Sequence, residues 1–338
     1  MLIQRTYHHP GLKSIVDVVA NPLQDSMALL SRYMENEIPF VDKVLQHGNM
    51  ISGKRLRPTL LLLVAGNLGN IDRRHIALAA AIEMIHTATL VHDDIIDEAS
   101  TRRHLPSVHE RWNSPTAVLL GDYLFSNAFY LAATTDSARA CRLIGNSTNQ
   151  VCEGELQQLS FEQNFEISQE QYIEIILGKT GRLISCATEL ATLFQEDHGF
   201  SGEAHETIAT TMREFGAKLG IAFQIQDDIL DIMGHSESTG KTLGTDMQNQ
   251  KATLPVIRSL RLLTEKPRNE LLEHLKNPTQ ENVSAAIEIM RQVGAIDYSK
   301  TIAAEYAQQA ASCLSELPDN EYRQALLNLV DFSVQRSG

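Results

Sequence analysis

Two carboxylate clusters stand in apolar stretches of this chain. Asp93-Asp94-Ile95-Ile96-Asp97 and Asp227-Asp228-Ile229-Leu230-Asp231 repeat one pattern, acidic at the first, second and fifth positions. On a helix, residues four apart share a face, and like charges at that spacing repel. Asp93 with Asp97, and Asp227 with Asp231, therefore need water, a cation or a basic partner to settle them. Either cluster alone reads as a solvated acidic helix end. Two copies in segments too apolar to be solvated read as two walls of one metal site. Carboxylates at this spacing suit a hard divalent cation. Mg²⁺ takes oxygen ligands, keeps several waters and is typically shared with substrate phosphates.

Cations follow the carboxylates in sequence. Arg102 and Arg103 come just after the first cluster, and Lys241 and Lys251 after the second. A basic turn, Ser52-Gly53-Lys54-Arg55-Leu56-Arg57-Pro58, precedes a run of leucines. Alone it reads as a solvated cap; at a helix start it also makes an anion site. Carboxylates for Mg²⁺ beside cations for phosphate oxygens describe a diphosphate site. The sequence shows neither a Gly-x-Ser-x-Gly elbow nor a phosphate-cradling Gly-rich loop. Metal-assisted departure of diphosphate needs no enzyme nucleophile, because the metal stabilises charge developing on the leaving group. His86 by itself reads as a core histidine, and only its place upstream of Asp93 promotes it; His92 reads as structural. His86 and His92-Asp93 also echo the HD-type metallo-phosphohydrolases, a reading that leaves Asp227, Asp228 and Asp231 unexplained.

The positioning elements read as helices. Apolar spacing points to a helix over 23–47 with Pro39 as a kink or break. Pro58 suits the first turn of the next helix. Asp72 is placed to cap a long, apolar, buried helix over 73–97. Further helices are expected over 115–130, 139–161, 168–194 and 203–233, with shorter, more polar ones after 252. Residues 1–22 read as a loose arm with one short helix. No stretch alternates with period two as a strand would. The expectation is one all-α domain spanning 1–338, a bundle of long helices around a central active-site cavity. The loop 234–251, with its glycines and Lys241, reads as a lid.

Composition narrows the partners. At 338 residues with 43% apolar and 21% charged residues, the chain has the makeup of a globular protein with a sizeable core. A formal charge of −13 argues against a nucleic-acid partner. Scattered Cys141, Cys152, Cys186 and Cys313 read as reduced thiols, which fits the cytoplasm. The N-terminus lacks a signal-peptide core. The run Leu60 to Ala65 is too short to span a bilayer, so the protein reads as soluble, with peripheral membrane contact for product release left open.

The two aspartate clusters resemble the first and second aspartate-rich motifs of the trans-isoprenyl (polyprenyl) diphosphate synthases. The resemblance runs from about Ser52 to Pro255. It is supported by Gly53-Lys54-Arg55-x-Arg57-Pro58, His86-Thr87-Ala88-x-Leu90-x-His92, Thr101-Arg102-Arg103, Gly121-Asp122, Lys179-Thr180, Phe223-Gln224-x-Gln226 and Gly240-Lys241-x-x-Gly244-x-Asp246. It implies that Asp93, Asp94 and Asp97 hold two Mg²⁺ on an allylic diphosphate, and that Asp227 and Asp231 hold a third; Mn²⁺ is expected to substitute. Arg102, Lys179 and Lys241 would contact that diphosphate, with Lys251 also substrate-binding. Lys54, Arg55, His86 and Arg103 would bind isopentenyl diphosphate, and Thr180 and Gln224 would steady the cation formed on ionisation. Departures are Ser52, His104 and Gln250, where glycine is common, and Gly181. They touch loop geometry and leave every expected ligand in place.

Product length follows from size. Ala81, Ala88 and Thr89, upstream of Asp93, are small, whereas bulky aromatic residues there form a floor in short-chain members. The first motif also lacks a two-residue insertion found in many of those. A long product of the quinone side-chain type is expected, from dimethylallyl, geranyl or farnesyl diphosphate as primer. The alternatives are a short-chain (C15/C20) synthase or the catalytic subunit of a heteromeric one. The resemblance implies a homodimer.

Overall fold

The computed structural model describes residues 10–50, 53–195, 202–233 and 244–335. Ser52, Gly240, Lys241 and most of the expected lid lie outside them. Among the described residues the chain is helical, apart from one hairpin of two-residue strands, Thr101–Arg102 (β1) against Leu105–Pro106 (β2). It divides into two compact units.

The first unit draws on Met1–Thr148, Leu183–Gly216 and Cys313–Leu329. Its N-terminal helices are α1 (Pro10–Asp17), α2 (Ala20–Tyr33), α3 (Pro39–Met50) and α4 (Leu56–Leu68). The arm expected over 1–22 is packed where it is described: Leu12, Ile15, Val16 and Val19 are buried. Those four recur at helical spacing and so cover one apolar stripe. The single helix expected over 23–47 is two, α2 and α3. Pro39 starts α3, where its missing N–H is no loss and its fixed φ already suits a first turn.

α5 (Arg73–Ile96) is the spine of this unit and packs on α2, α4, the short α6 (Val108–Arg111) and α7 (Ser114–Ala133). Asp72 caps it as expected: its carboxylate accepts the N–H groups of Arg74 (2.8 Å) and His75 (3.2 Å), and His75 Nδ1 accepts the N–H of Asp72 (3.2 Å). By length and composition α5 could cross a membrane, but 72% of its most apolar window is buried within the protein, as in a core helix. Ala77, Ala79, Ala80, Ala81 and Ala88 are buried along it. α7 crosses close by: a Cβ at Gly121 would lie 2.0 Å from His92 Nε2. The ring of His92 thus fills the space that the missing side chain leaves, and its Nε2 meets the Val118 carbonyl at 3.2 Å. His92 is a packing residue, as its sequence context indicates.

The second unit comprises Asn149–Arg182, Ala217–Ser312 and Val330–Gly338. The helices α8 (Ala138–Ser160) and α11 (Glu203–Met233) give residues to both units. Between them the chain forms α9 (Gln169–Ile176), a π-turn (Leu177–Gly181) and α10 (Arg182–Leu190). After the second motif come α12 (Thr245–Gln248), α13 (Leu254–Leu262), α14 (Glu265–Lys276), α15 (Gln280–Gln292), α16 (Ala295–Cys313) and α17 (Glu321–Gln335). Although more polar in sequence, these helices bury a real core: Leu254, Leu271, Val283, Met290 and Ile296 pack with Ile225 and Ile229 of α11.

Candidate active site

In the first unit, α5 ends in the first aspartate cluster. Asp93 and Asp97 are half-buried, while Asp94 is only 1% exposed. Helix geometry explains the split. The first and fifth positions share one face, and the second is rotated by roughly 100°. The turned-in carboxylate is matched by Arg102. Its Nε lies 2.8 and 2.9 Å from the two oxygens and its Nη2 2.7 Å from Oδ1. A charge-assisted pair of this kind is among the stronger polar contacts.

The hairpin β1–β2 carries Arg102 and Arg103. Its turn residues Arg103 and His104 both have positive φ, 52° and 64°, as a two-residue primed turn requires. Glycine would adopt that backbone without steric cost; here two side chains bear it. His47 anchors the hairpin from α3: its Nε2 lies 2.7 Å from the Pro106 carbonyl, and Arg111 Nη1 donates to its Nδ1 at 2.8 Å. Arg103 lies against Gly53, where a Cβ would come within 2.6 Å of Nη2. Arg55, also at positive φ (55°), precedes α4 and turns the basic segment into it.

These elements gather cations that are far apart in sequence. His86 sits deep enough that burial pushes its imidazole well below the usual range, and the charges of Arg57, Arg102 and Arg103 push it further. It is therefore a neutral ring among three guanidinium groups. Glu83 is 1% exposed, and its charge acts on Arg103 against the downward pull of burial and Arg102. Sequence reasoning missed Glu83; the available signal was a lone carboxylate inside Ala-Ala-Ile-Glu-Met-Ile. The unit thus brings together Arg57, His86, Arg102 and Arg103, with Lys54 and Arg55 in the adjoining turn.

The second unit builds its set on the π-turn and α11. A π-turn takes one more residue than a regular turn and is common at functional sites. It begins where α8 crosses with almost no side chain between: a Cβ at Gly154 would lie 2.7 Å from the Lys179 N and 2.9 Å from the Gly178 Cα. Lys179 Nζ pairs with Glu155, at 2.8 Å from Oε1 and 3.0 Å from Oε2. Glu155, next to Gly154, is a second residue the sequence reading passed over. Thr180 Oγ1 donates to Gln224 Oε1 at 2.7 Å. Gln224 Nε2 donates to Asp228 Oδ1 at 2.8 Å, and the Tyr172 hydroxyl donates to Asp228 Oδ2 at 2.7 Å.

The three aspartates of α11 repeat the pattern of α5. Asp227 and Asp231 are half-buried and Asp228 is 5% exposed. Burial, then the charge of Asp246, raises the Asp228 carboxyl well above its usual range against its two hydrogen bonds. Burial and the Asp228 charge hold Tyr172 well above the ordinary phenol range, so it stays a donor. Asp231 receives the chain returning from the second motif: it accepts the backbone N–H of Thr245 at 3.2 Å and of Asp246 at 3.0 Å, and its carbonyl accepts that of Gly244 at 2.9 Å. The Lys251 N–H bonds the Asp246 carbonyl at 2.8 Å and closes the same turn. Lys241, expected on the diphosphate, falls outside the described residues.

Among the described residues, no three His, Cys, Asp or Glu side chains converge as a ready-made metal cage. A Mg²⁺ shared with phosphates does not need one, because it keeps waters and takes one or two protein carboxylates. The half-buried Asp93, Asp97 and Asp227 are hard oxygen donors of the right kind, and the fit is to such a cation.

The profile of the polyprenyl synthetase family matches residues 38–291. The short chain isoprenyl diphosphate synthase of Methanothermobacter thermautotrophicus is 35% identical over 295 residues, 86% of this chain and 89% of the relative. The all-trans-nonaprenyl-diphosphate synthase (geranyl-diphosphate specific) of Rhodobacter capsulatus is 34% identical over 324 residues, 95% of this chain and 97% of the relative. A crystal structure of a polyprenyl synthase from Caulobacter crescentus, complexed with calcium and isoprenyl diphosphate, superposes with a TM-score of 0.89 at 32% identity. That alignment covers 97% of this chain and 98% of the other.

Proposed function

The chain belongs to the polyprenyl synthetase family and is a trans-polyprenyl diphosphate synthase, and on that premise we propose which residues carry the reaction and what it makes. It joins isopentenyl diphosphate head-to-tail to an allylic diphosphate and depends on Mg²⁺. The observation that carries the reading is the gathering of Arg57, Arg102 and Arg103, half-buried to exposed, around the neutral His86. A cluster of cations beside an imidazole that holds no proton favours an anion of high charge, in addition to the Asp94 and Glu83 carboxylates it already faces. Lys54, Arg55, His86 and Arg103 bind isopentenyl diphosphate. Arg102, Lys179, Lys241 and Lys251 serve the allylic diphosphate, Lys179 turning to it from Glu155.

Asp93, Asp97 and Asp227 hold the cations, three per site, and Mn²⁺ serves in their place. Asp94 and Asp231 contribute through the lone pairs that Arg102 and the backbone N–H groups leave. When bound, Mg²⁺ stabilises negative charge on the departing diphosphate. The allylic C–O bond breaks, and its electron pair leaves with the diphosphate. The isopentenyl double bond attacks the resulting cation, and the departed diphosphate takes the proton that restores a double bond. Thr180 and Gln224 offer oxygen lone pairs to the cation.

We read the product as long-chain. The buried Ala81 and Ala88 and the half-buried Thr89 leave no aromatic side chain at the turns before Asp93. The chain acts as a homodimer in the cytoplasm, with peripheral membrane contact at product release. Support for a second copy is the outer face of α7, where Val118 (43%), Leu119 (67%), Phe129 (38%) and Tyr130 (62%) are exposed. Residues 118 and 129 are about three turns apart on one face, and an apolar stripe of this kind marks a protein contact. Calorimetric titration tests the assignments. Isopentenyl diphosphate should bind without Mg²⁺ and weaken at least tenfold in Arg103→Ala. A non-ionisable allylic diphosphate analogue should need Mg²⁺ and fail in Asp93→Ala. Unchanged binding in both variants would refute the assignments.

A further inference from the structure

Asp228 belongs by sequence to an acidic set, yet its surroundings differ from those of its two neighbours. It is 5% exposed, and each oxygen takes a short hydrogen bond from a neutral donor within the protein: Oδ1 from Gln224 Nε2 at 2.8 Å and Oδ2 from the Tyr172 hydroxyl at 2.7 Å. Gln224 stands one turn earlier on the same helix, so its amide lies directly above the carboxylate. The other end of that amide, Oε1, accepts from Thr180 at 2.7 Å. Tyr172, Asp228, Gln224 and Thr180 form one unbroken chain.

We propose that Asp228 and Tyr172 are positioning residues that fix the orientation of the Gln224 amide. The inference rests on the prenyltransferase reading, in which Thr180 and Gln224 offer oxygens to the allylic cation. An amide has an attractive and a repulsive end toward a cation. Rotation by 180° exchanges a partially negative oxygen for two N–H groups. The Asp228 oxygen that faces Gln224 accepts, which turns the NH₂ end toward it and leaves the amide oxygen with Thr180. Tyr172 in turn fixes the carboxylate, because its hydroxyl occupies the oxygen that Gln224 does not use.

The π-turn makes the arrangement reachable. Tyr172 and Thr180 are eight residues apart, which on a regular α-helix would leave them roughly 80° out of register. The extra residue taken up in Leu177–Gly181 brings both hydroxyls to α11. The same device explains why Gly154 and Gly178 touch: the widened turn needs α8 at backbone distance.

The test is a double-mutant cycle on the full chain, with isopentenyl and farnesyl diphosphates as substrates. Tyr172→Phe removes one oxygen atom. It should lower kcat about tenfold and leave both KM values within about twofold, the pattern of a contact that matters only in the transition state. Gln224→Ala should lower kcat further. Added to Gln224→Ala, Tyr172→Phe should then cost less than about twofold more, because coupled residues do not add. A merely structural Tyr172 would multiply through both backgrounds, and that result, or a wild-type kcat in Tyr172→Phe, would overturn the proposal. If melting shows that Tyr172→Phe does not fold, Asp228→Asn takes its place in the cycle with the same expectations. A wild-type chain without turnover would overturn the prenyltransferase reading and this inference together; an active one with multiplicative effects overturns this inference alone.

Discussion

Replacing Gly53 with alanine isolates the anion site from the fold. The new Cβ would lie 2.6 Å from Arg103 Nη2 and 3.4 Å from its Cζ, and its three nearest heavy atoms all belong to that side chain. Ordinary contact begins near 3.4 Å, so the guanidinium must retreat by about 0.8 Å. It can, because it is the free end of a long side chain. Gly53 is not among the positive-φ positions, and alanine fits its backbone. The fold should therefore lose less than about 1 kcal/mol. The displaced charge matters more, since a misplacement on the order of 1 Å in a positioned site costs up to about a hundredfold. We expect the KM for isopentenyl diphosphate to rise roughly ten- to a hundredfold, with the allylic KM unchanged and the melting temperature within about 2 °C. Steady-state kinetics with each substrate varied in turn, beside a thermal melt, reads all three. An unchanged isopentenyl KM would refute the placement of Arg103 in that site. A rise in both KM values would show that the two diphosphates are not separated as assigned.

Other perturbations follow from single contacts. Arg102→Ala leaves the buried Asp94 carboxylate without its guanidinium, which should destabilise the chain by about 3–5 kcal/mol in denaturant melts; a shift below about 1 kcal/mol would contradict that pairing. Gly154→Ala drives a methyl into the backbone of Gly178 and Lys179. Overpacking should cost roughly 1–3 kcal/mol and lower kcat as well, since Thr180 moves with the turn. Burial and the neighbouring guanidinium charges hold the His86 imidazole well below its ordinary value near 6.5, so as pH falls the unfolded chain binds the extra proton. Stability from this group is present above pH 6.5 and is lost as pH falls toward the folded value; melts should show a smaller decline over that window in His86→Gln. The Cys186 thiol is buried and pushed up to about 12, so at pH 8 it should resist alkylation until the chain unfolds, while the exposed Cys152 reacts in the native state.

Much of the site could be read from residue types. The spacing of Asp93 with Asp97 and Asp227 with Asp231 places them on shared faces, and the structure leaves those positions half-buried at the ends of long helices. Asp72 capped its helix as expected. Helical spacing also implies that Asp94 and Asp228 turn inward, but what they meet there depends on distant segments: Arg102 on a hairpin, and Tyr172 beyond a π-turn. That turn depends on Gly154 approaching Gly178, a tertiary contact with no local signal. The partners of the cations Arg103 and Lys179 were hidden for a similar reason. Glu83 and Glu155 look in sequence like ordinary helix residues, and only burial and pairing set them apart. Pro39 reads in sequence as a kink or break, and only the structure shows it starting a second helix; the buried stripe of α1 was too short to stand out.

The most direct test is turnover by the purified chain alone, with Mg²⁺, labelled isopentenyl diphosphate and farnesyl diphosphate, followed by chromatography of the products. The expected result is released diphosphate in step with chain extension, polyprenyl diphosphates longer than C20, complete loss with EDTA and recovery with Mg²⁺. Products that stop at C20 would contradict the long-chain reading. No condensation by the chain alone, or phosphate release from nucleotides instead, would contradict the central claim.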